Sequence, residues 1–135
     1  MSIKSTLLFL FISSFVIKPS LINAQAVNVQ DSLALVDLYN STDGPNWTNN
    51  YNWLTSAPVS LWAKIKVKNG RVVEINLQIN NLEGYIQSSI GDLTSLESLY
   101  LYHNKLSGII PPEIGNLKKL SNLYLNENKL TGKIP

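Results

Sequence analysis

From Ile75 to Pro135 the chain carries one phrase three times: INLQINNLEGYIQSSIGDLTSL begins at Ile75, LYLYHNKLSGIIPPEIGNLKKL at Leu99 and LYLNENKLTGKIP at Leu123. Asn80, Asn104 and Asn128 recur at a spacing of 24 residues, as do Gly84, Gly108 and Gly132, and Ile86, Ile110 and Ile134. A period of that length predicts a solenoid, in which each copy is one coil and adjacent coils share a core.

Each copy opens on two apolar residues that flank one other residue: Ile75 and Leu77, Leu99 and Leu101, Leu123 and Leu125. Alternation at period two marks a short strand with one buried face. The Asn that follows has an amide able to donate and accept toward backbone groups left open where the strand ends. Stacked copies then predict an asparagine ladder of Asn80, Asn104 and Asn128. Leu82, Ile86, Ile90, Leu93 and Leu96, matched by Leu106, Ile110, Ile114, Leu117 and Leu120, supply inward side chains around the rest of each coil. Gly84, Gly108 and Gly132 suit tight bends or close packing. A long helical hairpin is disfavoured, because Gly and Pro recurring along it would break the helices.

LYLYHNKLSGIIPPEIGNLKKL resembles the plant-type leucine-rich repeat, LxLxxNxLxGxIPxxIGxLxxL, position for position. The first copy departs from it at Gln87 and Ser88, where the second has Pro111 and Pro112. The resemblance covers residues 72–135. It implies an α/β repeat fold: a leucine-rich repeat solenoid with a short parallel sheet on its concave face, preceded by a helical N-terminal cap over residues 27–71.

Residues 1–26 read as a secretory signal peptide: Lys4, an apolar run from Leu7 to Ile17, then small residues at Ala24 and Ala26. The run is eleven residues, well short of the roughly 20 that span a bilayer as a helix. The mature chain is therefore expected to be secreted or held at the cell surface, without a membrane span of its own. Lys4 and Lys18 lie in the leader, so nine of the eleven basic residues remain against nine acidic ones. A neutral mature chain gives no support to nucleic-acid binding. Absence of cysteine excludes disulfides and thiolate chemistry.

In the cap, QDSLALVDLYNST predicts a helix with Asp31 at its N-cap and Leu35 and Leu38 inward, and Gly44 and Pro45 then mark a turn. An end coil exposes an apolar flank and an open strand edge, so a cap is physically required. Trp47, Trp53 and Trp62 are expected to cover that flank; the alternative is a tryptophan platform for sugar stacking. LWAKIKVKNGRVVEINL predicts a hairpin turning at Asn69 and Gly70 into the first repeat strand. This segment is similar to the plant-type cap, in which WxGVxC precedes NGRV. Here Lys64 takes the usual glycine position, Val67 the usual cysteine position and Ser60 that of its partner, which is closer to cysteine-free bacterial secreted members. Asn40 and Asn46 stand in glycosylation sequons and are read first as turn residues.

A search for catalytic machinery returns little. His103 is the sole histidine, no serine lies in a nucleophile-elbow context, and no spacing of ligands suits a metal. The chain is expected to be no enzyme and to need no cofactor. What remains is a surface. Outward strand side chains stack as Glu74, Ser98 and Asn122; Asn76, Tyr100 and Tyr124; and Gln78, Tyr102 and Asn126, with Ile79, His103 and Glu127 alongside. Tyr100, Tyr102 and Tyr124 are the leading candidates for ligand contact, supported by Asn76, Gln78, Asn122, Asn126 and His103; tyrosine pairing that only stabilises the sheet is the competing role. The expected partner is an extracellular protein, peptide or glycan. The alternative is a non-catalytic ectodomain at the front of a larger receptor or secreted enzyme, since the third repeat is incomplete at Pro135.

Overall fold

The computed structural model describes residues 26–135; the signal-peptide reading falls on residues that lie, but for Ala26, outside that range. Helix α1 (Val29–Ser41) is followed by 3-10 turns at Gly44–Asn46 and Val59–Leu61, and then by a hairpin of β1 (Ile65–Lys68) and β2 (Arg71–Asn76). The two complete coils contain β3 (Glu83–Gly84), a 3-10 turn at Ser88–Asp92, β4 (Ser98–Tyr100), β5 (Lys105–Ile109) and a 3-10 turn at Pro112–Asn116. Strands β6 (Asn122–Tyr124) and β7 (Lys129–Thr131) follow. Among the described residues no helix is long and apolar enough to cross a membrane.

The concave sheet runs β1-β2-β4-β6. Strand β1 is antiparallel to β2, while β2, β4 and β6 are parallel, with Glu74, Ser98 and Asn122 in one register row and Asn76, Tyr100 and Tyr124 in another. The hairpin turns where the sequence predicts: Asn69 and Gly70 both adopt left-handed backbone, at φ 51° and 68°, the geometry of the tight turn that matches strand twist.

A second parallel sheet, β3-β5-β7, lies on the other side of the coil. The sequence reading treats this region as bends, because KLSGI places a glycine inside the strand. Coil stacking overrides that local signal: Lys105 N donates to Leu82 O at 2.8 Å, and Glu83 N and Tyr85 N donate to Thr42 O and Ser41 O at the end of α1. Gly84 is required there. Its φ is 131°, and a Cβ would sit 2.0 Å from the Ser41 carbonyl oxygen.

The ladder closes the turn after each concave strand. Asn104 Oδ1 accepts from Asn80 N and Leu82 N, both at 3.0 Å, while its Nδ2 donates to Leu77 O and Leu101 O at 2.8 and 2.9 Å. Asn128 repeats this toward Leu106 N and Leu101 O. At the cap end Asn80 exchanges bonds with the backbone of Asn49, so the cap loop takes the place of a preceding coil.

One core joins cap and coils, running from Leu35 and Leu38 through Val72, Ile75 and Leu77 to Leu99, Leu101 and Leu106. The first coil's inward set, from Leu82 to Leu96, is fully buried. Its second-coil counterparts Ile110 and Leu120 are only half-buried.

The expected N-cap is corrected. The N-cap of α1 is Asn28, whose Oδ1 accepts from Gln30 N at 2.9 Å and Asp31 N at 3.3 Å. Asp31 is instead buried within the first turn, where its carboxylate accepts from Arg71 Nε (3.0 Å), Arg71 Nη2 (2.8 Å) and Val72 N (2.8 Å). A carboxylate withdrawn from water needs such a full set of donors. The hydrogen bonds to Asp31 hold the Arg71 guanidinium above its ordinary pKa, against the opposing effect of burial.

The tryptophans are no sugar platform. Trp47, Trp53 and Trp62 are buried, and each indole N–H donates to a backbone carbonyl, of Thr42, Ala63 and Ala57 respectively. Trp53 packs against the other two with ring centroids 4.8 and 5.0 Å away. With neither face free, they cover the apolar flank of the first coil. Of the two sequon asparagines read as turn residues, Asn40 lies instead in the last turn of α1, while Asn46, in the first 3-10 turn, is exposed and its amide donates to the Asp43 carboxylate, in keeping with a turn role.

Candidate binding face and adjoining groove

The parallel register of β2, β4 and β6 turns sequence columns into surface columns. Residues 24 apart become neighbours at the strand spacing of about 4.8 Å. Tyr100 and Tyr124 stack with centroids 5.4 Å apart and planes 24° from parallel. Tyr124 is 48% exposed, and Tyr100 and Tyr102 are half-buried. The pair therefore stabilises the sheet and still presents ring surface. Asn76 continues their column toward the cap; its Oδ1 is buried without a hydrogen-bond partner among the described residues.

The neighbouring columns are polar. Gln78 is half-buried and Asn126 exposed beside Tyr102. Asn122 donates through Nδ2 to Ser98 Oγ at 3.0 Å, and Ser98 itself is buried. Glu74 is tied to Lys66 at 3.0 Å at the hairpin corner. The predicted residues thus share one sheet face, except His103, which lies at its margin.

That margin has a geometry of its own. Ile79, His103 and Glu127, the residues just before each ladder Asn, all adopt left-handed backbone at φ 51°, 53° and 56°. The chain must swing there to aim the Asn inward, and for an L-residue this costs roughly 1–2 kcal/mol. Ile79 pays the most steric penalty because its Cβ is branched. Its side chain is nonetheless 59% exposed. His103 Nδ1 lies 2.6 Å from Glu127 Oε2, with both side chains more than half exposed, which limits the pair to under about 1 kcal/mol.

Between this column and the parallel column of Asn81 and Lys105 runs a groove of about 450 Å³, floored by Asn104 and closed at the cap end by Thr48. Its volume lies in the range of small-ligand clefts. Sequence reasoning placed Ile79, His103 and Glu127 beside the face but missed the groove and Lys105. The left-handed backbone that opens it has no marker such as glycine at these positions.

The leucine-rich repeat family model matches residues 70–130. No curated protein sequence matches the chain. Among solved structures, the chain is similar to a plant ice-binding protein at 29% identity and TM-score 0.73, covering 82% of this chain and 36% of that one. The BIR2 ectodomain of Arabidopsis thaliana matches at 31% identity and TM-score 0.68, over 82% of this chain and 60% of that one. A chain of the BIR3–SERK2 complex, also from Arabidopsis thaliana, matches at 34% identity and TM-score 0.63, over 78% of this chain and 60% of that one. The chain thus spans between about a third and three fifths of these structures. Its repeat length, ladder and second sheet agree with the family match: residues 70–130 are leucine-rich repeats, similar to those of the plant structures.

Proposed function

We propose that the chain is a non-catalytic recognition module that acts outside the cell and binds a protein or peptide across its concave face. The observation that carries this is the stacked pair Tyr100 and Tyr124, with Tyr102 beside it, at the centre of an otherwise polar sheet. Tyrosine joins a large apolar body to a polar tip and has few rotors to freeze, so it gains contact area at low entropic cost. The similarity to a chain of the BIR3–SERK2 complex supports a protein partner. The composition of residues 1–26 supports secretion. A glycan is less well served, because the three indoles that would stack on sugar rings are in the core.

The strip built by the described residues is small. Three strands about 4.8 Å apart, each exposing about five residues at about 3.3 Å, offer a face on the order of 250 Å², against roughly 800 Å² per side in a standard protein interface. An extended peptide or a single projecting loop fits such a strip. The test is selection of a displayed random-peptide library on the secreted protein, followed by affinity measurement with the Tyr100→Ala, Tyr124→Ala double variant. A loss of at least about tenfold is expected, the 1.4 kcal/mol or more of a buried aromatic anchor. Unchanged affinity for every selected peptide would remove the concave face from the binding site.

A further inference from the structure

The groove beside the ladder is built asymmetrically, and its parts are complementary to one kind of chain. Ile79 and Glu127 are two coils apart, about 10 Å, which is the length of three extended residues. The end nearest the cap is apolar, formed by Ile79 and closed by Thr48. The opposite wall carries Lys105, continued along its column by Lys129. Glu127 is already engaged by His103, whereas neither lysine has an ion-pair partner among the described residues. Lys105 is therefore the lining ammonium left unpaired among the described residues, and the lining's own carboxylate, Glu127, lies one coil further on.

Ile79 is the informative residue. The left-handed position it occupies suits glycine or asparagine, and Asn69 and Asn81 take the same conformation elsewhere in the chain. An isoleucine there adds strain and, being 59% exposed, adds little to the core. What it does supply is an aliphatic surface facing a groove whose next feature is a free ammonium group.

We infer that this groove binds an extended peptide segment of the pattern apolar-x-acidic, with the apolar side chain on Ile79 and the carboxylate on Lys105. In an extended chain residues i and i+2 point to the same side, about 6.6 Å apart, which lets one strand of peptide reach both an end-wall anchor and a cation in the next coil. The inference rests on the reading of this face as a peptide-binding surface. It adds a second row of contacts beside the tyrosines and assigns the partner a charge.

The probes are acetyl-Leu-Ala-Glu-amide and acetyl-Leu-Ala-Gln-amide, titrated into the ¹⁵N-labelled protein to millimolar concentration and followed by amide chemical shifts. Shifts are expected at Ile79, Asn81, His103 and Lys105, with the glutamate peptide about three- to fivefold tighter and its advantage shrinking as salt screens the pair. Lys105→Gln should erase the difference between the two peptides, while Lys68→Gln, an equal change of charge on the distant hairpin, should keep it. Ile79→Gly, which suits the backbone and leaves the fold intact, should weaken both peptides alike. Equal binding of the two peptides, retained discrimination in Lys105→Gln, or no shifts in the groove would each overturn the assignment. Shifts confined to Tyr100 and Tyr124 would overturn the groove and leave the concave-face reading standing.

Discussion

Replacing Asn104 with Ala tests whether the ladder holds the coils together. Its amide satisfies at least four backbone groups: the N–H groups of Asn80 and Leu82 and the carbonyls of Leu77 and Leu101, at 2.8 to 3.0 Å. A net hydrogen bond contributes about 1 kcal/mol, and a buried group left without a partner costs about 1–3 kcal/mol. Water entering the vacated space recovers part of that, so the expected loss is about 3–4 kcal/mol. That is a large share of the roughly 5–15 kcal/mol that stabilises a domain of this size. It corresponds to a fall in Tm of about 15 °C or more. Asn104→Asp keeps the acceptor for both N–H groups but turns an oxygen toward two carbonyls, and should lose about 2 kcal/mol or more. The assay is urea unfolding followed by tryptophan fluorescence, which reports on the buried Trp47, Trp53 and Trp62 cluster. Asn116→Ala, an exposed asparagine of the outer turn, is the control and should stay within about 0.5 kcal/mol of the parent. If Asn104→Ala matched that control, the ladder would be a consequence of stacking and not a cause of it.

Two further predictions concern how cap and coils are joined. Asp31→Ala leaves Val72 N buried without its acceptor and Arg71 without its partner, for an expected loss of about 3 kcal/mol, the lower end for a broken buried pair because Arg71 is partly exposed. Folding raises the pKa of Arg71, so its contribution is complete below the ordinary arginine value and fades only as pH rises through the raised one. The loss measured by thermal unfolding should therefore be the same at about pH 6 and about pH 9; a loss that disappeared over that range would assign it to another group. Gly91 and Gly115 occupy the same repeat position, yet a Cβ on Gly91 would lie 2.6 Å from the Glu113 carbonyl oxygen, while one on Gly115 meets nothing within 4 Å. Gly91→Ala should cost about 1–3 kcal/mol by overpacking, and Gly115→Ala should be neutral or slightly stabilising. Equal effects in denaturant melts would show that coil stacking does not constrain this position.

What the sequence discloses about this protein is what recurs in it. A residue that returns every 24 positions becomes a column, so the ladder, the strand faces and the tyrosine stack follow from arithmetic on the chain once the coils are taken to stack. The contact between Asp31 and Arg71 links positions 40 apart that occur once each, and no period points to it; the acidic residue in a first turn reads locally as a cap because Asn28, the true cap, lies just outside the predicted helix. The second sheet escapes for a different reason. Its strands contain Gly84, Gly108 and Gly132, which as single residues argue for bends, and only the stacking of one extended segment on the next makes them strands. The groove combines both difficulties. Its wall is a column and therefore visible, but its depth comes from the left-handed backbone at Ile79, His103 and Glu127, three residue types that share no local preference for that conformation. The ladder imposes it, since the chain can aim Asn80, Asn104 and Asn128 inward only by turning sharply one residue earlier. The same asparagines that close the core thus present the residues before them to solvent, and the surface at this margin can vary from coil to coil while the scaffold stays the same.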